Sequence, residues 1–212
     1  MSTPRSPKTL REIASSFFSF GSPRLLGAQV VAALLVRPFL GPPGLGDAIA
    51  AAGVLAYWPI QEWALHKWLL HAPPVRIGRF SFQLAATKTH GYHHEHPLEP
   101  KATLLPTWTI AVLVPIHMAA WALLAPSASV ACTGIVCLGA AALSYEWIHF
   151  FSHTAYKPTT AWFREVKRRH LAHHFRDSAR YFAFAVPAVD DWFGTGDRPT
   201  DHATDETTHA PH

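Results

Sequence analysis

Charged residues are scarce in this chain of 212 residues. Asp, Glu, Lys and Arg make up 15% of the sequence, whereas soluble domains usually carry about 25%. Hydrophobic residues make up 49%, so the composition favours a protein that lies in a bilayer. The length is sufficient for one domain with a hydrophobic core and too short for two such domains.

Cysteine is also rare. Cys132 and Cys137 are the only two, and both lie in one apolar run, five positions apart. On a helix they are packing residues, rather than a disulfide or a pair of metal ligands.

Four apolar stretches predict membrane helices, since a spanning helix needs about 20 mostly apolar residues. The last three meet this length, but the first is short and contains Arg37, so it spans with a tilt or only partly enters the bilayer. Pro-Gly and Pro-Ser breaks at 41–44 and 125–127 predict tight turns between antiparallel helices. The stretches cover about 25–40, 47–70, 105–125 and 127–151.

The basic residues fall on one side of this layout. Seventeen of the eighteen Lys and Arg residues lie in the segments 1–24, 71–101 and 153–212 or at Lys67. This positive-inside pattern predicts an integral membrane protein with both termini and the polar segments in the cytoplasm. It also accounts for the net charge of +4 without nucleic acid, for which the chain shows no binding module.

Histidine is abundant, with fifteen in the chain. Two spaced pairs lie at the cytoplasmic ends of the second and fourth predicted helices, and an HxxHH triplet follows each pair. Imidazole suits Fe, Zn, Cu and Ni. We therefore predict a metal centre, because so many histidines on one side of the membrane exceed what packing requires. Its predicted ligands are His66, His71, His90, His93, His94, His149, His153, His170, His173 and His174.

The spacing indicates how the histidines are shared. Residues i, i+3 and i+4 lie on one helix face, so each triplet is expected to point at one centre. His149 and His153 have the i, i+4 spacing that places two imidazoles on one metal. His66 and His71 are i, i+5, which either separates them between two metals or requires the helix to loosen or end between them.

No carboxylate has ligand spacing inside these clusters, yet ten neutral imidazoles around two divalent ions leave about four uncompensated charges. Glu62, Glu146 and Asp177 lie three or four residues from a histidine. We predict that they orient imidazole N–H groups from outside the ligand set; otherwise they are helix-surface or interface carboxylates.

In the same order, the motifs HxxxxH, HxxHH, HxxxH and HxxHH resemble those of the fatty acid hydroxylase superfamily, also called the sterol desaturase-like family. The segments from His90, from Tyr145 and from Phe184 to Thr195 are most similar to those of fatty acid 2-hydroxylases. The resemblance covers about residues 55–196.

The resemblance implies an all-α fold: an integral membrane four-helix bundle with a cytoplasmic helical cap that holds a dimetal site. The membrane domain would cover 25–196, with the cap formed by 71–104 and 152–196. The segment 1–24 would precede it in the cytoplasm, and a disordered tail rich in Thr, Asp, His and Pro would cover 197–212.

The resemblance also implies chemistry: the ten histidines would bind two Fe ions, with zinc able to substitute in purified or crystallised protein. With O2 and external electrons, one oxygen atom would enter a C–H bond of a lipid acyl chain. A fused cytochrome-type domain with a haem-binding HPGG motif is missing, so we expect a separate ferredoxin, cytochrome or reductase as electron donor. Five aromatic residues are expected either to line a substrate cleft or to anchor the chain at the membrane interface: Trp63, Trp68, Tyr92, Tyr145 and Trp147.

Three alternatives stay open at this point. The same site could hydroxylate another lipid, such as a carotenoid, a sterol or an ornithine lipid. It could also desaturate a lipid, because removing a second hydrogen uses the same oxidant. Finally, the chain could be a non-catalytic membrane zinc-binding protein, although ten ligands exceed the four of a structural zinc site.

Overall fold

The computed structural model describes residues 6–197, and the predicted tail lies outside this range except for Asp197. A 3-10 turn, Arg37–Leu40, continues the second helix, and a π-helical turn, His66–Leu70, continues the third. The helices are α1 Leu10–Phe17, α2 Gly21–Val36, α3 Leu45–Leu65, α4 Ala85–Glu95, α5 Thr107–Leu124, α6 Ala128–Ser152, α7 Ala161–Phe175 and α8 Ala188–Trp192.

The fold is mostly helical, but the all-α prediction missed a small β-hairpin. Strands β1 Val75–Ile77 and β2 Phe80–Phe82 pair antiparallel, with Val75 opposite Phe82 and Ile77 opposite Phe80. Gly78 takes a φ of 58° in the turn, which costs glycine no steric strain. Strands of three residues are too short to show a clear alternating pattern in the sequence.

Three stretches of the described residues are long and apolar enough to cross a membrane: Gly21–Leu40, Thr107–Leu124 and Ala128–Ser152. They indicate an integral membrane protein and correspond to the first, third and fourth predicted spans. Helix α3, predicted as the second span, is not among the three although it has 21 residues. Its polar residues, including Asp47, Gln61 and Glu62, lower its apolar character.

Helix α6 is the centre of the bundle, since α2, α3 and α5 all pack against it. At Gly139 of α6, an added Cβ atom would lie 2.9 Å from the Nε2 atom of Gln29 on α2, so glycine permits this close approach. Arg37 is compatible with an apolar stretch because its guanidinium forms a 2.9 Å ion pair with Asp47. Thr133 of α6 also donates to Asp47 at 2.6 Å, so both charges have partners.

The carboxyl-terminal end of α6 is covered by smaller elements. Helix α1 begins with a capping box, in which Thr9 and Glu12 each accept a hydrogen bond from the other's backbone N–H. Its buried Ile13 and Phe17 belong to one apolar cluster with Phe150 and Phe151 of α6. This packing fixes the end of α6 that carries His149 and His153.

Candidate metal centre

The ten predicted histidines come together in two groups of five at the ends of α3 and α6 and on α4 and α7. In each group, one ring nitrogen of every histidine lies within 4.8 Å of those of the other four. The first, here called the His66 group, contains His66, His71, His90, His94 and His173. The second, here called the His93 group, contains His93, His149, His153, His170 and His174.

The structure corrects one prediction about the HxxHH triplets. On α4, His90 and His94 belong to the His66 group, whereas His93 belongs to the other. On α7, His170 and His174 belong to the His93 group, whereas His173 belongs to the His66 group. Residues i and i+4 differ by only about 40° on a helix, but i+3 lies about 100° from i+4, so the middle histidine points elsewhere.

The π-helical turn resolves the spacing of His66 and His71. The backbone N–H of His71 donates to the carbonyl of His66, an i to i+5 bond, at 3.2 Å. This wider turn places both imidazoles in the same group, and their ring centroids are 5.1 Å apart. Of the two alternatives in the sequence, the loosened helix is therefore the one observed, and such turns are frequent at functional sites.

The spacing of the Nε2 atoms suits a shared metal ion. The Nε2 atom of His90 lies 3.1 Å from that of His66 and 3.0 Å from those of His71 and His94. One imidazole nitrogen offers either a single proton or a single lone pair, so it cannot hydrogen-bond to all three. Two nitrogens bound about 2.1 Å from one cation at right angles are about 3 Å apart, so a shared ion fits.

The His93 group shows the same close spacing. The Nε2 atoms of His149 and His93 are 2.8 Å apart, and those of His153 and His170 are 2.7 Å apart. Among residues 6–197, the two ring nitrogens of His174 are buried and neither has a hydrogen-bond partner. An ion at this position would give His174 the partner that a buried polar group requires.

Backbone carbonyls orient two of the imidazoles. The Nδ1 atom of His66 lies 2.8 Å from the carbonyl oxygen of Phe182, and that of His173 lies 2.6 Å from the carbonyl oxygen of Arg180. An N–H donated from Nδ1 leaves Nε2 with its lone pair facing the group. Sequence reasoning missed these partners because every residue carries a carbonyl, and only the fold shows which ones face a histidine.

The three predicted carboxylates bond to other groups, and no described hydrogen bond joins them to an imidazole. Glu62 accepts from the backbone N–H groups of Phe184 and Ala185 at 3.2 and 2.6 Å, and Glu146 accepts from Ser22 and Leu105 at 2.5 and 2.8 Å. Asp177 accepts from the backbone N–H of Ala179 at 3.0 Å. Their described contacts hold loops and helices in place and do not orient the rings.

The segment that Glu62 holds packs against both groups. The buried ring of Phe184 contacts His66, His149 and His170, with centroids 4.9 to 5.1 Å apart. Asp190 fixes the same segment by accepting from the backbone N–H groups of Phe182 and Ala183. This segment therefore supplies an apolar wall that keeps the histidines in position.

Burial keeps the histidines neutral, which is the form that binds a metal. Desolvation lowers the pKa of His93 and His173 to about 3 and that of His94 to about 4. In each case, neighbouring histidines lower the pKa further, because a second positive charge nearby is unfavourable.

Two cavities reach the centre from the helix bundle. One, of about 230 Å³, lies between α3 and α5 and is lined mainly by apolar side chains and by His66. The other, of about 130 Å³, is lined by His90, His93 and His149. Tyr145 and Leu105 line both, so the two cavities adjoin at these residues.

With this site described, the comparisons identify the family. The model of a family described as fatty acid hydroxylase matches residues 51–195. The chain belongs to the fatty acid hydroxylase family. The matched range contains all ten clustered histidines.

Individual relatives resemble this fatty acid hydroxylase family member over only part of its length. Over 107 residues it is 34% identical to dihydroceramide fatty acyl 2-hydroxylase FAH1 of Arabidopsis thaliana and 31% identical to FAH2 of the same plant. These matches cover 50% of this chain and 44% of each relative, so the aligned part spans less than half of their length. A solved structure described as full-length scs7p, with only the hydroxylase domain visible, shares the fold with a TM-score of 0.67. The match covers 84% of this chain and 66% of that one, and the two sequences are 24% identical.

The aromatic residues proposed for a cleft have different positions in this hydroxylase-family fold. Tyr145 lines both cavities, whereas Trp63 is buried and stacks on Phe193 at 4.3 Å between centroids. Trp147 packs edge to face with Phe17. Trp68 is 65% exposed, as an interfacial anchor would be, and Tyr92 is exposed and donates to Glu99.

Proposed function

We propose that this protein is a membrane-bound, non-haem diiron, O2-dependent hydroxylase of a lipid acyl chain, similar to the fatty acyl 2-hydroxylases. The observation that supports it best is the pairing of two five-histidine groups with an apolar cavity that reaches His66. The printed names of the two Arabidopsis relatives support an acyl substrate, and family membership supports a lipid.

The ten clustered histidines are the proposed ligands, five for each iron. When bound, the iron pair would supply the activation of O2 and the oxidation of a C–H bond. Zinc would compete for the same imidazoles during purification, because it accepts nitrogen ligands of this kind. Electrons would come from a separate ferredoxin, cytochrome or reductase.

The protein's own side chains would bind the substrate and exclude water. Leu113, Val114 and Leu138 line the cavity between α3 and α5, where an acyl chain would lie. The lipid head group would stay at the membrane surface, so the carbon nearest the metals would be one close to that head group. The buried ring of Phe184, which stacks on His66, would help to exclude water.

The proposed orientation places the metal centre and both termini in the cytoplasm. Its support is the distribution of basic residues, with seventeen of eighteen on the side of the histidine clusters. The short turns on the other side contain none, and Arg37 near that side is paired with Asp47.

The test is a product analysis in ¹⁸O2. Purified protein in lipid nanodiscs receives a ferredoxin and its reductase, and extracted lipids are analysed by mass spectrometry. Hydroxylation predicts one ¹⁸O atom in an acyl chain, and it predicts no product with His93→Ala. A loss of two hydrogens would indicate a desaturase, labelled carotenoid, sterol or ornithine lipid would indicate another substrate, and no oxidation with fully iron-loaded protein would contradict the proposal.

A further inference from the structure

The β1–β2 hairpin exposes an apolar face. In a two-stranded antiparallel sheet, directly opposite residues lie on the same face. Val75 faces Phe82 and Ile77 faces Phe80, so these four side chains share one face, while Arg76 and Ser81 share the other. The exposed fractions on the apolar face are 40% for Val75, 65% for Ile77, 68% for Phe80 and 48% for Phe82.

The base of the hairpin is fixed to the end of α3. The hydroxyl of Thr87, at the start of α4, donates to the carbonyl of Leu69 in the π-helical turn at 2.8 Å. This bond joins the two chain segments that flank the hairpin. Trp68, in the same turn, is 65% exposed, and exposed tryptophan is typical of the boundary between membrane and water. If Trp68 lies at that boundary, the hairpin that follows it lies at the same level.

The charges of this segment suit an anionic membrane surface. Arg76 lies on the polar face and Arg79 in the turn, and both are exposed. The sequence contains no Asp or Glu between Glu62 and Glu95, so no acidic side chain of this segment offsets them. A basic residue close to an anionic leaflet is attracted to it.

We propose that the hairpin lies in the membrane interface on the metal side. Its apolar face, formed by Val75, Ile77, Phe80 and Phe82, inserts among the lipid acyl chains, while Arg76 and Arg79 contact lipid phosphates. This combination of inserted apolar residues and basic residues at the head groups is the same as that of interfacial amphipathic helices.

The segments on either side of the hairpin line the cavity that reaches His66. Leu69 and Leu70 precede the hairpin and Ala86 follows it, and all three line this cavity. A hairpin embedded here would border the path by which a lipid passes from the leaflet to the metals. This role rests on the proposed function, whereas the position in the interface does not.

The test measures the depth of spin labels on the two faces. The chain has two cysteines, both in α6, so Cys132→Ala and Cys137→Ala give a background for single labelling sites. Ile77→Cys and Phe80→Cys label the apolar face, and Arg76→Cys and Ser81→Cys are the matched controls on the other. Collision rates with O2, which concentrates in lipid, and with a water-soluble nickel chelate are measured in nanodiscs that contain anionic lipid.

We expect the ratio of O2 to nickel collision rates to be several-fold higher at Ile77 and Phe80 than at Arg76 and Ser81. Equal ratios on both faces would overturn the proposal. So would labels at Ile77 and Phe80 that neither reagent reaches, because a second copy or another protein would then cover the face. Each labelled variant must contain as much iron as the cysteine-free parent protein, which shows that it is folded.

The double variant Ile77→Ser/Phe80→Ser, provided that it retains its metal, tests whether the hairpin borders the substrate path. We expect KM for a membrane lipid substrate to rise several-fold with kcat unchanged. An unchanged KM would remove the hairpin from the substrate path without affecting its position in the interface.

Discussion

His94 and His174 stack face to face with their ring centroids 4.1 Å apart and their planes inclined by 22°, although they belong to different histidine groups. The stacking joins α4 to α7 at the point where the two groups meet. The two proposed ion sites are therefore in direct contact through imidazole rings.

The crossed assignment of the middle histidines can be tested by metal analysis. His93→Ala should weaken the site formed with His149 and His153 and leave the His66 group loaded, whereas His173→Ala should do the reverse. Each variant should lose one ion and bind it more than about 10-fold more weakly, because its set of five ligands is incomplete. Metal content and anomalous X-ray scattering would show which site is empty; loss of the same ion in both variants would contradict the assignment.

Glu62 is expected to affect the histidine site through the backbone of Phe184 and Ala185, which it holds in place. Glu62→Ala leaves the buried backbone N–H of Phe184 and the partly buried N–H of Ala185 without their acceptor, and the buried one alone costs about 1–3 kcal/mol. We expect a lower Tm and a rise in KM, since Phe184 would move away from His66 and the adjoining cavity. Glu62→Gln retains an oxygen acceptor and should recover most of both properties; equal losses in the two variants would show that the negative charge itself is needed.

Acid should destabilise the metal-free protein. The folded-state pKa of about 3 for His93 and His173 and of about 4 for His94 lies below the usual value of about 6.5, so the unfolded chain binds more protons in between. Their neutral forms contribute stability fully above pH about 6.5, and this is lost as the pH falls toward about 3. The Tm of chelator-treated protein, measured against pH, should show this fall.

The control for this titration is His96→Gln. His96 is exposed and stacks on Tyr92, outside both groups, so its replacement should leave the pH dependence unchanged. His93→Ala should make the curve less steep. A Tm that did not change between pH about 8 and about 5 would show that the buried imidazoles titrate normally.

His117 should influence the length of the acyl chain that is accepted. It lines both the cavity that reaches His66 and a separate, larger groove of about 640 Å³ between α3 and α5. His117→Ala should connect the two and shift product formation toward longer chains, and His117→Trp should favour shorter ones. Competition between acyl chains of different length measures the shift. Met118→Ala is the matched control, since Met118 is exposed and lines neither cavity.

Much of this site could be predicted because histidine spacing on a helix is a direct geometric signal. His149 and His153 are four positions apart and share a group, as expected. The triplets were assigned less well, because a rule that places i, i+3 and i+4 on one face ignores the angle of about 100° between His93 and His94.

Other features depend on contacts between distant residues. The wide turn at His66 depends on local backbone geometry that residue types alone do not indicate. The carbonyl of Phe182 reaches His66 across 116 positions of sequence, and the carboxylate of Glu62 reaches Ala185 across 123. No local pattern records such pairs, so the groups that orient the site were found only in the structure.

The central claim is that two groups of five histidines hold two redox-active irons. The most direct test is metal analysis with Mössbauer spectroscopy on protein that is expressed with ⁵⁷Fe and purified without oxygen. The account predicts two ferrous ions per chain in nitrogen-rich environments, both oxidised when O2 is admitted. A single ion per chain, or stoichiometric zinc with no turnover after iron and reductant are supplied, would contradict it.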